Sequence, residues 1–166
     1  MYKRILIIGA GGSGKTTLGK EIGKILNINS ISIDDLRYSK DFSIKFHDKK
    51  AKDNLKSLLR KKKWILDGVY AENYISPAFR KADVIIVLKP TRLKLIYRIL
   101  KREISQRKKY QDKPLSDLLK LLYWSQRYKN HNEKKHLPLA EKYRKKVIFL
   151  RNNHEKDSFL KSIKIS

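Results

Sequence analysis

Apolar residues fall along this chain in two alternating patterns, short unbroken runs and sets spaced at helical intervals. Arg4–Ile8 is a continuous aliphatic run stopped by glycine, as in a parallel strand buried on both faces. Beyond Gly14, the residues Leu18, Ile22, Ile25 and Leu26 share one helical face and predict a helix as far as Leu26. Ser30–Ile33 predicts a short second strand running into Asp34-Asp35. Ala51, Leu55, Leu58 and Leu59 repeat the helical spacing in a basic segment that ends near Lys63. Trp64-Ile65-Leu66 is a third strand, closed by Asp67-Gly68, and Val84–Leu88 a fourth, closed by Pro90. Leu93, Ile96, Leu100 and Ile104 mark a helix on which these residues form the apolar face. A second helix, Leu115 to Tyr128, follows Pro114. Val147–Leu150 reads as the last strand, and Phe159, Leu160 and Ile163 face a closing helix.

Strands alternating with helices predict an α/β fold with parallel strands joined by right-handed crossovers. No repeat, low-complexity linker or boundary interrupts the pattern. Residues 1–166 therefore read as one domain, with helical excursions at about 36–63 and 92–140.

Between the first strand and the first helix lies Gly9-Ala10-Gly11-Gly12-Ser13-Gly14-Lys15-Thr16-Thr17. It satisfies G-x-x-x-x-G-K-[ST], the phosphate-binding P-loop. Glycines let successive backbone amides turn inward around phosphate oxygens, and the following helix points its positive end at them. Gly9, Gly11, Gly12, Ser13 and Gly14 are the expected cradle. Lys15 would reach the β- and γ-phosphates of ATP, and the Thr16 hydroxyl would ligate Mg²⁺. Thr17 closes the nucleotide-binding segment and reads more as a helix residue than as a ligand. The same glycines also fit a dinucleotide fingerprint: Gly9, Gly11 and Gly14 match G-x-G-x-x-G, with Asp34 about 20 residues on. Lys15-Thr16 is superfluous in that motif and necessary in a P-loop, so ATP is preferred over NAD.

Composition narrows the partners. With 41 Lys plus Arg against 16 Asp plus Glu, the formal charge is +25 and favours anionic partners: nucleotides, and nucleic acid as a second class. The basic residues are spread along the chain, with local clusters at Arg60-Lys61-Lys62-Lys63 and Arg107-Lys108-Lys109. There are no cysteines, which excludes a disulfide scaffold, a thiolate zinc site and a cysteine nucleophile. His47, His131, His136 and His154 form no plausible metal or triad set. No apolar run approaches the ~20 residues that span a bilayer, and Ile5–Ile8 is too short for a signal-peptide core. The expectation is a cytoplasmic monomer with no membrane partner.

Ile5–Leu18, Asp34-Asp35, Trp64 through Tyr70, and the block from Arg80 through Val84–Leu88 to Arg98-Ile99-Leu100-Lys101-Arg102 resemble the adenylate-kinase-like P-loop family. Within it they are most similar to the branch called DNA topology modulation (FlaR-type) proteins. The resemblance implies a three-layer α/β sandwich around a five-stranded parallel sheet in the order 2-3-1-4-5. It also implies Mg²⁺-dependent phosphoryl transfer from ATP to a nucleotide or a small hydroxylated acceptor. Relatives place an acidic residue after the fourth strand, directly before the proline, where this chain has Lys89. The acidic partner of Mg²⁺ must then come from elsewhere, and Asp67 is the best candidate.

The resemblance places a carboxylate after the second strand toward the acceptor or the metal. Asp34 is favoured for this role, with Asp35 capping the next helix. Arg37 and Tyr38 are weaker acceptor-side candidates. Arg98 and Arg102, four apart, share a helix face with Lys94. In lid-bearing kinases arginines here neutralise charge on the transferring phosphoryl group. Arg92, Arg107 and Arg127 are secondary candidates, and Arg151-Asn152-Asn153-His154 reads as the loop that borders adenine. A regulatory ATPase associated with nucleic acid through its basic surface is the alternative function.

Overall fold

The aliphatic runs become strands, and all of them run in the same direction. A computed structural model describes residues 2–38, 47–68, 72–109, 118–120, 122–123, 142–143 and 146–165. Its strands are β1 (Arg4–Gly9), β2 (Ser30–Ser32), β3 (Trp64–Gly68), β4 (Val84–Leu88) and β5 (Val147–Leu150). The helices are α1 (Lys15–Leu26), α2 (Ile33–Arg37), α3 (Asp48–Arg60), α4 (Glu72–Lys81), α5 (Arg92–Lys109) and α6 (Asn153–Ile165). The five strands form one parallel sheet in the order β2-β3-β1-β4-β5.

Alternate residues of each strand enter opposite faces of the sheet. Leu6, Ile8, Leu66, Ile85 and Val87 pack under α3 and α4, against Leu55, Leu59, Ile75 and Phe79. Ile5, Ile7, Ile65, Val84 and Ile86 pack on the other side, against Leu18 and Ile22 of α1 and Phe159 and Ile163 of α6. Burial on both faces is why these strands read as unbroken apolar runs. Each such side chain contributes about 1.5–3 kcal/mol.

Three details differ from the sequence expectation. β2 stops at Ser32, because Ser32 caps α2: its hydroxyl accepts from the Asp34 amide at 3.3 Å while Asp35 accepts from the Ser32 amide at 3.1 Å. Ile33 therefore opens a helix. The crossover α4 has no counterpart in the sequence reading, since Pro77 interrupts its pattern. Yet Ile75, Ala78, Phe79 and Ala82 keep one face and are buried. On α5 the apolar set Leu93, Ile96, Leu100 and Ile104 lies outward, with Leu93 82% exposed. The buried stripe is instead Leu95, Ile99 and Glu103. Of the Leu115–Tyr128 helix, residues 118–120 and 122–123 are helical and the others lie outside the described residues.

The site is set by strand order. β1 sits between β3 and β4, so the loop leaving β1 opens where successive crossovers diverge to opposite sides. Crevices at the carboxyl ends of such strands are where open α/β sheets bind ligands. The order also removes the dinucleotide reading. A Rossmann sheet sets β2 beside β1, whereas here β3 intervenes and Asp34 lies one strand too far from the glycine turn.

Among the described residues, no helix is long and apolar enough to cross a membrane.

Candidate functional site

The glycine turn is built by backbone angles that other residues resist. Gly12 and Gly14 have φ of 76° and 96°, in the left-handed region that costs an L-residue about 1–2 kcal/mol. Gly14 is the N-cap of α1, which has no capping side chain and no acid in its first turn. The first amides of α1 are thus free of side-chain partners and directed to an anion from outside the helix. Lys15 folds back, donating from Nζ to Ala10 O at 2.9 Å. Burial pulls its pKa down to about 8, and Arg102 adds to the fall, while the nearby Asp67 and Asp34 carboxylates oppose it.

Two cavities meet at this turn. A cleft of about 420 Å³ is lined by Gly12 through Leu18, by Lys94, Arg98 and Arg102 of α5, and by Arg151, Asn152 and Asn153. A second cavity of about 350 Å³ is lined by Thr16, Lys20, Ser30, Ser32, Asp34, Asp35 and Asp67. Thr16 lines both. The first is rich in cations and the second in carboxylates.

Helix α5 is held on the glycine turn. Leu95 and Ile99 form a small apolar cluster with Ala10. A Cβ on Gly12 would lie 2.8 Å from Ile99 Cγ1, so only glycine admits this approach. Arg98 donates from Nη1 to Ser13 O at 2.8 Å and from Nη2 to Asn153 Oδ1 at 3.4 Å, joining the glycine turn to the β5–α6 corner.

Asp67, at the end of β3, is 2% exposed. Its Oδ1 accepts from Thr16 Oγ1 at 3.1 Å, and its buried Oδ2 has no hydrogen-bond partner among the described residues. Burial raises its pKa, against the lowering effects of the Thr16 hydroxyl and Lys15. A carboxylate held in this way leaves an oxygen that a cation could ligate. The donors nearby are all hard oxygens, which suits Mg²⁺. Among the described residues no three His, Cys, Asp or Glu side chains form a metal cage.

Most sequence candidates converge here. Gly12, Ser13, Gly14, Lys15, Thr16, Thr17, Arg98 and Arg102 line the first cleft; Thr16, Asp34 and Asp67 line the second. Gly9 ends β1, and neither it nor Gly11 lines a cavity wall named above. Lys89 is turned toward β5, with its amide on Leu150 O at 2.9 Å and its ammonium 5.7 Å from the Phe149 ring. Arg37 pairs with Asp48 at 3.4 Å and stacks 5.1 Å over Tyr74, and it lines neither cavity. Arg92 is exposed at the start of α5, and Arg127 and the Arg107 side chain lie outside the described residues. His154 is exposed on α6, a helix that begins at Asn153 where a loop was expected. Asn152 Oδ1 accepts there from the Glu155 amide at 2.9 Å, and the Glu155 carboxylate accepts from the Arg151 amide at 2.8 Å and from Asn152 Nδ2 at 3.2 Å. Lys94, Arg151, Asn152 and Asn153 do line the first cleft, whereas the bond of Asn153 to Arg98 and the approach of Ile99 to Gly12 had no counterpart in the sequence reading.

Comparison with known proteins bears on the family and the fold. The AAA_18 family, described as an AAA domain, matches residues 5–115. The chain belongs to this P-loop family. Among curated proteins, none matches the sequence. Several solved kinases share the fold of this AAA_18 member. Shikimate kinase from Acinetobacter baumannii, in complex with shikimate, is 15% identical with a TM-score of 0.58, covering 97% of this chain and 90% of that one. Deoxyadenosine kinase from M. mycoides, with bound dATP, is 17% identical with a TM-score of 0.56, covering 97% and 98%. A gluconokinase from Sinorhizobium meliloti 1021 is 13% identical with a TM-score of 0.54, covering 98% and 90%. The adenylate-kinase-like resemblance is thus met at the level of a P-loop kinase fold, which implies nucleotide binding.

Proposed function

We propose that the protein transfers the terminal phosphoryl group of ATP to a small, uncharged, hydroxylated acceptor, with Mg²⁺ bound between the two cavities. The observation that carries this reading is the meeting of a cationic cleft and an acidic cavity at Thr16. ATP would enter the first, its phosphates on the glycine-turn amides and Lys15. The acceptor would enter the second. Three carboxylates there against one lysine repel a monophosphate or carboxylate and suit hydroxyl groups, which can donate to Asp34 and Asp35.

In that arrangement Asp34 orients the attacking hydroxyl and receives its proton as the new O–P bond forms. The bridging O–P bond of ATP breaks, and ADP leaves on the α1 side. Lys15, Arg98 and Arg102 lie where negative charge grows on the transferring group, an effect worth orders of magnitude in rate. Thr16 and Asp67 would hold Mg²⁺, which supplies charge neutralisation on the phosphates. Fold likeness to kinases solved with shikimate or dATP supports a small-molecule acceptor without choosing one.

The test is ADP release screened over polyols, sugars, nucleosides and nucleoside monophosphates, with and without Mg²⁺, for wild type and Lys15→Met. Wild type should turn over fastest with an uncharged polyhydroxylated acceptor, and Lys15→Met should lose about 10³-fold. Equal rates in wild type and Lys15→Met would remove the kinase assignment. A nucleoside monophosphate as best acceptor would overturn the acceptor class alone.

A further inference from the structure

The parallel sheet gathers every strand start on the edge opposite the cleft, and that edge is basic. The Arg60-Lys61-Lys62-Lys63 run leaves α3 and enters β3 with its four side chains exposed. Lys3 is its neighbour, because the Trp64 amide donates to Lys3 O at 2.9 Å. Lys81, at the end of α4, reaches Leu59 O at 3.2 Å, and Lys146 reaches Ala82 O at 3.1 Å. Lys81 and Lys146 have a structural duty at these carbonyls, one of them the C-terminal end of α3. Lys61, Lys62 and Lys63 have none, and no ion pair among the described residues involves them.

The acid at this edge is already used. Asp83 accepts from the Lys3 and Arg4 amides at 3.0 and 2.9 Å and from the Arg4 guanidinium at 3.0 and 2.6 Å. The patch therefore keeps its positive charge. β1 separates it from the glycine turn by about 17 Å, beyond the screening length at physiological salt of about 8 Å. It is electrostatically independent of the nucleotide site.

We propose that this strand-start edge is a second anion site, which binds the phosphate backbone of nucleic acid without reading sequence. An unbroken exposed run of cations fits a polymer carrying a phosphate every few ångströms. A membrane surface fits less well, since binding there also draws on apolar side chains that insert. The strongly exposed apolar residues among those described, Leu93, Tyr97, Ile104, Leu119 and Tyr123, lie on α5 and beyond, and of the described exposed apolar residues only Tyr2 adjoins Lys3 at this edge.

The experiment compares two triple variants of equal charge, Lys61→Gln/Lys62→Gln/Lys63→Gln and Lys49→Gln/Lys52→Gln/Lys56→Gln, the second on the outer side of α3. Binding to a fluorescent 20-base-pair DNA duplex and to phosphatidylserine vesicles is measured across salt, with urea midpoints as a check on folding. The first variant should weaken duplex binding at least tenfold at low salt. It should also make the log K–log salt slope shallower by about 2–3. The second variant should change the slope by less than 1. ADP release should be unaffected in both, so loss of the kinase reading would leave this outcome unchanged. Equal effects of the two variants would overturn the proposal, as would no duplex binding at 50 mM salt, or loss of vesicle binding with duplex binding intact.

Discussion

The two edges of this sheet are built from the same five strands and treat charge in opposite ways. At the strand ends, Asp67 is buried with one oxygen unpartnered among the described residues, and Ser13 Oγ is in the same condition. Lys15 is held where burial drags its pKa to about 8. At the strand starts, Asp83 accepts four hydrogen bonds, and the cations beside it stand in solvent. One edge stores an unmet charge in a cavity, and the other has paired its carboxylate and displays its excess cations outside. An unmet buried charge is the mark of a site that a ligand completes. A met one is the mark of a closed structural end.

Asp67→Asn breaks the contrast at its strongest point. The Thr16 bond can persist to the amide oxygen, but the acid proposed to hold Mg²⁺ is gone. ADP release at saturating Mg²⁺ should fall by about 10²-fold or more. Stability should move the other way. The folded state raises the pKa of Asp67, so it disfavours the charged form, and that penalty is present above the raised pKa and relieved as pH falls through it. An asparagine removes the penalty at neutral pH, and the urea midpoint should rise, by about 1 kcal/mol in unfolding free energy. Activity lost together with stability would show that Asp67 is a structural residue.

How much of this was written in the sequence depends on the range over which each interaction acts. The strands were legible because burial on both faces leaves unbroken runs such as Ile5–Ile8. The glycine turn was legible because Gly12, Gly14, Lys15 and Thr16 act within one turn. Helix α4 was not, although Ile75, Ala78, Phe79 and Ala82 hold one face, because Pro77 and the surrounding polar residues masked a short period. On α5 the sequence offers two apolar stripes, and nothing local says which is inward. The glycine turn decides it, since Gly12 leaves room for Ile99 and not for a side chain of its own. The Arg98 bond to Ser13 spans 85 residues, so its geometry had no local signal.

That dependence on Gly12 gives a medium-sized test. Gly12→Ala forces a left-handed alanine and drives its Cβ to 2.8 Å from Ile99. Unfolding free energy should drop by about 1–3 kcal/mol. KM for ATP should rise about tenfold, as displacement of α5 moves Arg98 off the turn. Gly11 is the internal control: a Cβ there meets nothing within 4 Å. Gly11→Ala should stay within about 0.5 kcal/mol of wild type. Equal destabilisation by both would mean that the Ile99 contact does not position the helix.

The smallest effect belongs to the closed edge, and it has a pH signature. Burial alone would raise the Asp83 pKa, but the Arg4 guanidinium and the Lys3 and Arg4 amides outweigh it and hold the carboxyl below its ordinary value. A carboxylate with a lowered folded pKa contributes stability that is complete above the unfolded value and is lost as pH falls through the folded one. Arg4 is 43% exposed, so solvent screening keeps the contribution modest. Asp83→Asn should cost about 1 kcal/mol at pH 7, read from urea midpoints, with ADP release unchanged. The gap to wild type should close as pH drops below the ordinary carboxylate range of about 4. A gap independent of pH would mean that Asp83 acts by shape and hydrogen bonding alone, and that the charge contrast between the two edges is weaker than its geometry implies.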